Sequence, residues 1–198
     1  MRMLRTALGF LTILPAAPRD DLQAHGAEEM GPSRAYFPLV GLAIGGMLAG
    51  LDAALRQAFP VGVTSALVVA AALWATRGMH AEGFIDCCDA LLGGYTRERR
   101  LEILRDPHVG AFAVLGGVAL VLVQWTAIAA LPGPVRWQAL VLYPCVARWA
   151  MVAAMAAFPY ARREGMGTAF MRGAKRGQVA LALVTVILSA ALLGGGEG

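Results

Sequence analysis

Five long apolar runs dominate this 198-residue chain and leave few folds open to it. They cover Tyr36 to Ala58, Val61 to Ala75, Gly110 to Leu131, Val135 to Phe158 and Val179 to Leu193. A bilayer core of about 30 Å takes about 20 helical residues, so the first, third and fourth runs are long enough to span it. The second and fifth are shorter and span with local thinning or borrowed flanking residues. Backbone in hydrocarbon must satisfy its own hydrogen bonds, and the alternation of a barrel strand is missing, so the spans are helices. Only 15% of the residues are charged, against roughly 25% in an ordinary soluble domain. The expected fold is all-α: a polytopic integral membrane protein of about five transmembrane helices, forming one membrane-embedded domain over residues 1–198.

The charges sort by side. Arg2, Arg5, Arg19 and Arg34 precede the first run. Arg77, Arg97, Arg99, Arg100 and Arg105 lie between the second and third, and Arg162, Arg163, Arg172, Lys175 and Arg176 between the fourth and fifth. Alternating spans put all fourteen on one face and only Arg56 and Arg136 on the other, with Arg148 inside the fourth run. By the positive-inside rule the fourteen are cytoplasmic in a multi-pass membrane protein. The segment Met1 to Pro15 resembles a signal peptide in charge, but its apolar stretch is short and Ala16-Ala17-Pro18 is a poor cleavage site. It is expected to stay as an interfacial or re-entrant segment. Cys87, Cys88 and Cys145 form neither a disulfide framework nor a zinc spacing, and are read as packing residues.

One segment carries concentrated chemistry. It runs Gly78-Met79-His80-Ala81-Glu82-Gly83-Phe84-Ile85-Asp86-Cys87-Cys88-Asp89, at the cytoplasmic end of the second run. On a helix, Glu82, Asp86 and Asp89 stand at i, i+4 and i+7 and share one face. Such a face either holds a divalent cation or is a solvated surface paired with nearby arginines. Mg2+ takes oxygen ligands and is usually held by one or two carboxylates plus substrate phosphates. Polar clusters against a membrane are costly, which favours a functional reading. His80 suits a general base, a ligand or a helix start. Residues 95–106 form an amphipathic cytoplasmic helix with Thr96 as cap, and its arginines either lie on anionic headgroups or hold a diphosphate. Arg148 is about ten residues, or about 15 Å of helix, from Pro159, far for snorkelling. It is expected to face a polar cavity.

Several linked motifs resemble the cobalamin synthase, or adenosylcobinamide-GDP ribazoletransferase, family. His80-Ala81-Glu82-Gly83-Phe84-Ile85-Asp86-Cys87-Cys88-Asp89 is similar to its His-Leu-Asp-Gly-Leu-Ala-Asp-Thr-Ala-Asp-Gly pattern. Phe10-Leu11-Thr12-Ile13-Leu14-Pro15, Tyr36-Phe37-Pro38-Leu39-Val40-Gly41, Asp106-Pro107-His108-Val109-Gly110, Ala147-Arg148-Trp149 and Pro159-Tyr160-Ala161-Arg162 follow in order. The resemblance implies a Mg2+-dependent transferase that joins adenosylcobinamide-GDP to alpha-ribazole, giving adenosylcobalamin and GMP. It implies Glu82, Asp86 and Asp89 as metal holders, His80 and Arg148 as catalytic residues, and Arg97, Asp106, His108 and Arg162 as substrate contacts. The implied partners are the two substrates, the lipid bilayer and further copies or other cobalamin-assembly proteins, with no nucleic acid. This sequence departs from the pattern at Glu82, where the family has Asp, at Pro107, where Ser is expected, and at His108, where Arg is expected. The family also continues with more apolar helices and a Gly-Thr-Gly-Asp-like segment, which this sequence lacks.

Two rival readings differ in class. A CDP-alcohol-type phosphotransferase also arrays Asp on helices at the cytoplasmic face, but its longer Asp-Gly…Ala-Arg…Gly…Asp…Asp pattern does not fit. A transport or structural subunit would use the acidic face for ion passage, yet an ion path more naturally puts carboxylates mid-span.

Overall fold

The computed structural model describes residues 2–14, 26–161, 166–171 and 176–194. These residues are helical with short connections and contain no strand. Four helical stretches are long and apolar enough to cross a membrane: Met30–Leu55, Ala111–Ala129, Gly133–Ala157 and Arg176–Gly194. A fifth crossing arises only if Val61–Ala75 and Met79–Gly93 act as one broken span, because the two meet at 91°. The chain is an all-α, multi-pass membrane protein. The difference from the sequence reading is local: the second apolar run ends at a corner, and the acidic residues ride on a separate helix beyond it.

The chain forms two compact units. Residues 1–53 and 132–198 make the first. Its elements are α1 (Arg2–Leu11), α2 (Gly26–Ser33), a 3-10 turn (Arg34–Tyr36), α3 (Phe37–Leu55, which runs just past the unit's edge), α8 (Gly133–Ala157), α9 (Met166–Met171) and α10 (Arg176–Gly194). α1 is amphipathic. It buries Thr6, Ala7 and Leu11 and leaves Arg2 and Arg5 exposed, as an interfacial helix should. At 10 residues it is too short to span. Phe10, Phe37 and Phe170 tie α1, α3 and α9 together, with ring centroids 4.6–6.0 Å apart.

α3 and α8 approach closely because α3 presents glycine there. A Cβ on Gly41 would strike the Pro144 carbonyl, and one on Gly45 the Val141 carbonyl. Small residues at helix seams let backbones meet in lipid, where apolar burial alone drives little association. Pro144 also frees the carbonyl four residues back, so this seam tolerates an irregular turn. At the far end of the same helix pair, Arg136 clasps Asp52 through both carboxylate oxygens, at 2.6–3.1 Å. Both side chains are buried. α10 packs on α8 but stays open to its surroundings, with 6% of its apolar window buried, which suits lipid contact.

Residues 54–131 make the second unit, with α4 (Val61–Ala75), α5 (Met79–Gly93), α6 (Arg97–Ile103) and α7 (Ala111–Ala129). α7 is its centre, packing against both α4 and α5. Trp125 Nε1 donates to the Gly62 carbonyl at 2.8 Å and pins the start of α4. α5 settles on α7 at Gly116 and Gly117, where any Cβ would crowd Cys88 and Ile85. Cys88 is thus a packing residue at a glycine notch, as the sequence suggests.

Candidate functional site

The corner between α4 and α5 decides where the acidic residues stand. Thr76 ends α4, and Arg77 and Gly78 follow with φ of 53° and 66°, the left-handed region. The Gly78 N–H donates to the Leu73 carbonyl at 2.8 Å and the Arg77 N–H to Trp74 at 3.0 Å, the pair of bonds that closes a Schellman turn. Glycine is at home with such a φ, whereas arginine there costs strain. The chain therefore leaves the direction of α4 abruptly. α5 restarts at Met79, and the sequence from His80 to Asp89 falls within one unbroken helix.

On α5 the three carboxylates separate by environment. Glu82 and Asp86, one turn apart, are exposed. Asp89 is half-buried and bonded through both oxygens: one accepts from the Gly110 N–H at 2.6 Å, the other from the Ala113 N–H at 2.8 Å. These are the otherwise unsatisfied donors at the start of α7, whose own cap position is Gly110 and supplies no side chain. Asp89 therefore caps a helix whose cap residue, Gly110, lies 21 residues later, and its charge lies where the helix dipole favours an anion. Gly110 has no room for more than hydrogen, since a Cβ would stand 2.6 Å from Asp89 Oδ1. This function of Asp89 is absent from the sequence reading. The available signal is an apolar helix that opens at Gly110 with no Ser, Thr, Asp or Asn at its own cap.

Among the described residues, no group of three or more His, Cys, Asp and Glu side chains could hold a metal ion by itself. Asp89 is bonded to α7 and keeps lone pairs on both oxygens, while Glu82 and Asp86 are the exposed carboxylates of this face. Two carboxylates completed by substrate phosphate oxygens and water are still an ordinary setting for Mg2+, so the donor set fits that ion only together with a substrate. His80 lies half-buried in the first turn of α5, two residues before Glu82.

The amphipathic helix expected over 95–106 is α6, which is shorter, Arg97–Ile103. Thr96 does cap it, accepting from the Arg99 N–H at 3.2 Å. Arg99 pairs with Glu102 at 3.0 Å on the open surface, an arrangement worth little in stability. Arg100 is spent on the Gly94 carbonyl at 2.8 Å, which folds α6 back against the end of α5. Arg97 is exposed at the first turn. Past α6 the chain turns at Asp106, whose Oδ1 accepts from the His108 N–H at 3.0 Å and lies 2.6 Å from His108 Nδ1. The His108 backbone N–H, then its ring, hold the Asp106 carboxyl below the usual aspartate range. Asp106 and His108 are thus brought together, two residues before the Gly110 that Asp89 grips.

Arg148 belongs to the other unit. It is 7% exposed on α8, and its Nε is buried with no hydrogen-bond partner among the described residues. No carboxylate pairs with it there. Arg162 lies outside the described residues. The ion pair Asp52–Arg136 is a second feature the sequence reading missed. Arg136 counts there only as a rim charge, although Asp52 stands near the same end of its own apolar run.

A family model described as CobS, cobalamin-5-phosphate synthase, matches residues 3–196. An adenosylcobinamide-GDP ribazoletransferase of Geotalea daltonii is 37% identical over 195 residues, covering 98% of this chain and 77% of the relative. One of Desulfitobacterium hafniense is 38% identical over 173 residues, covering 86% and 67%. One of Deinococcus radiodurans is 39% identical over 173 residues, covering 87% and 61%. The chain thus spans between 61% and 77% of the length of these relatives. No solved structure matches.

Proposed function

Because the chain belongs to the cobalamin-5-phosphate synthase family, we propose that it joins adenosylcobinamide-GDP to alpha-ribazole, giving adenosylcobalamin and GMP. The observation that carries this is the family match across residues 3–196, with relatives named for that transfer at 37–39% identity. The ribazole 5'-hydroxyl attacks the phosphorus attached to cobinamide. A P–O bond forms to the ribazole, the bond to the GMP oxygen breaks, and the hydroxyl proton passes to a base. Such a transfer asks for positioning and charge neutralisation more than covalent help.

The residues divide that labour. Glu82 and Asp86 hold Mg2+ on the exposed face of α5. When bound, the ion supplies charge neutralisation at the diphosphate oxygens. Asp89 acts as a positioning residue, fixing α5 to the start of α7. His80 is the candidate base, with Glu82 as the nearest carboxylate in sequence. Arg97 offers a guanidinium to a substrate phosphate, and Asp106 and His108 offer polar contacts in the loop before α7. Arg148 and Arg162 are proposed as charge stabilisers. The active face is cytoplasmic, in the inner membrane of a bacterium.

Purified full chain in detergent, given both substrates and Mg2+, is expected to form adenosylcobalamin and GMP, and to stop with excess chelator. No product beside an active relative rejects the reading. Asp86→Asn should cost on the order of 100-fold in turnover while the protein still inserts. Turnover equal to wild type in that variant removes the metal from Asp86.

A further inference from the structure

The turn between α6 and α7 carries a side-chain pair whose protonation the proposed transfer leaves open. Asp106 Oδ1 accepts from the His108 backbone N–H at 3.0 Å and lies 2.6 Å from His108 Nδ1. An ionised carboxylate can only accept, and the bonds from His108 keep the Asp106 carboxyl ionised. The proton between the two groups therefore belongs on Nδ1, and the other ring nitrogen, Nε2, is left to the surroundings. Pro107 stands between the two residues and fixes one backbone dihedral of the turn, which lowers the entropy lost in holding the pair together. The His108 side chain is 88% exposed, so its ring is open to a ligand.

The pair stands beside the acidic helix. Two residues after His108, at most about 7 Å of chain, Gly110 is held by Asp89 of α5. Asp86 precedes Asp89 by three residues, about 4.5 Å of helix rise. The charged groups around the turn are Arg99 on α6, which adds to the lowering of Asp106 and itself pairs with Glu102, exposed Arg105 next in the chain, and Asp89 on α5. The first turn of α7 adds no charge. A phosphate group at this end of α5 thus meets a ring whose outward atom depends on its proton. Imidazolium presents Nε2–H, a donor that carries positive charge. Neutral imidazole presents a lone pair there, beside the Asp106 charge, and repels a phosphate oxygen. Imidazole changes charge between about pH 5 and 8.

We propose that the imidazolium of His108, held by Asp106, donates Nε2–H to a diphosphate oxygen of the nucleotide substrate, so that a proton on this turn strengthens substrate binding. The identity of that substrate rests on the transferase reading above. Adenosylcobinamide-GDP suits the test, because its diphosphate is esterified at both ends and lacks the ionisation of a terminal phosphate at about pH 6. Its binding to the full chain in detergent with Mg2+ is measured by equilibrium dialysis at about pH 6 and about pH 8, on either side of the ordinary histidine range. Alpha-ribazole is left out, so no turnover is needed.

Wild type is expected to bind on the order of fivefold more tightly at the lower pH, the scale of one exposed ion pair. His108→Gln should bind equally at both, as weakly as wild type at the higher pH. His108→Arg, whose charge does not titrate, should bind tightly at both. His108 is exposed, so neither change disturbs a packed core. The same pH dependence in wild type and His108→Arg, wild-type affinity in His108→Gln at the lower pH, or no binding by wild type at either pH overturns the proposal. The transferase assay answers separately. Binding that follows the proton without product formation leaves the contact standing and rejects the reaction, whereas product formation with binding that ignores pH does the reverse.

Discussion

Both oxygens of Asp89 go to backbone N–H groups, and this separates it from the two carboxylates that precede it on α5. A helix start leaves several donors unmatched, and an anion there gains from both hydrogen bonding and the helix dipole. Replacing such a cap typically costs about 1–2 kcal/mol. Asp89→Ala is therefore expected to lower the unfolding free energy by that amount in the absence of Mg2+, as thermal or chemical denaturation would show. Asp86→Asn, whose side chain is exposed, should leave stability without Mg2+ unchanged. A loss for Asp89→Ala that shows only when Mg2+ is present would instead mark Asp89 as a ligand. Glycine at position 110 belongs to the same device, since the carboxylate occupies the space where a Cβ would go.

Between elements, a buried polar link among the described residues is the clasp of Arg136 on Asp52, which joins the end of α3 to the start of α8. Gly41 and Gly45 draw the same two helices together further along. The glycine seam supplies close packing, and the ion pair fixes the register in which the helices meet. The energetics of a buried pair are lopsided. Removing one partner strands a charge and costs about 3–5 kcal/mol, whereas replacing both with apolar groups of similar volume is often neutral or better. Arg136→Met alone should accordingly destabilise the protein severely. The double change Asp52→Leu with Arg136→Met should recover most of the loss, read as Tm or as the yield of monodisperse protein. Failure of the double change to recover would mean that the pair does more than hold α3 against α8.

Over the whole molecule, what the sequence made legible was what a single periodicity or a charge count can carry. The apolar runs marked the four described helical stretches long enough to cross a membrane, because a bilayer imposes a length that composition alone reveals. The helical spacing of Glu82, Asp86 and Asp89 was equally plain. What stayed hidden were contacts between residues far apart in the chain: Asp89 with Gly110, Asp52 with Arg136, Arg34 with Gln178. Each needs the tertiary arrangement that no local pattern encodes. The corner at Arg77 was hidden for another reason, since only Gly78 advertised it and arginine ordinarily avoids a positive φ. That corner leaves one question about topology that experiment can answer. The charge count places Arg56 and Arg97 on opposite sides of the membrane, which requires α4 with α5 to cross it. Yet α4 alone has 15 residues and α5 departs from it at 91°. In a background with Cys87, Cys88 and Cys145 replaced, Phe59→Cys and Tyr95→Cys report the two ends. Both native side chains are exposed, Tyr95 almost completely. A membrane-impermeant maleimide should label Phe59→Cys in cells with a permeabilised outer membrane and Tyr95→Cys only after lysis. Labelling of both before lysis would make the α4–α5 pair a re-entrant loop, reduce the crossings to four and reverse the side assigned to the acidic helix.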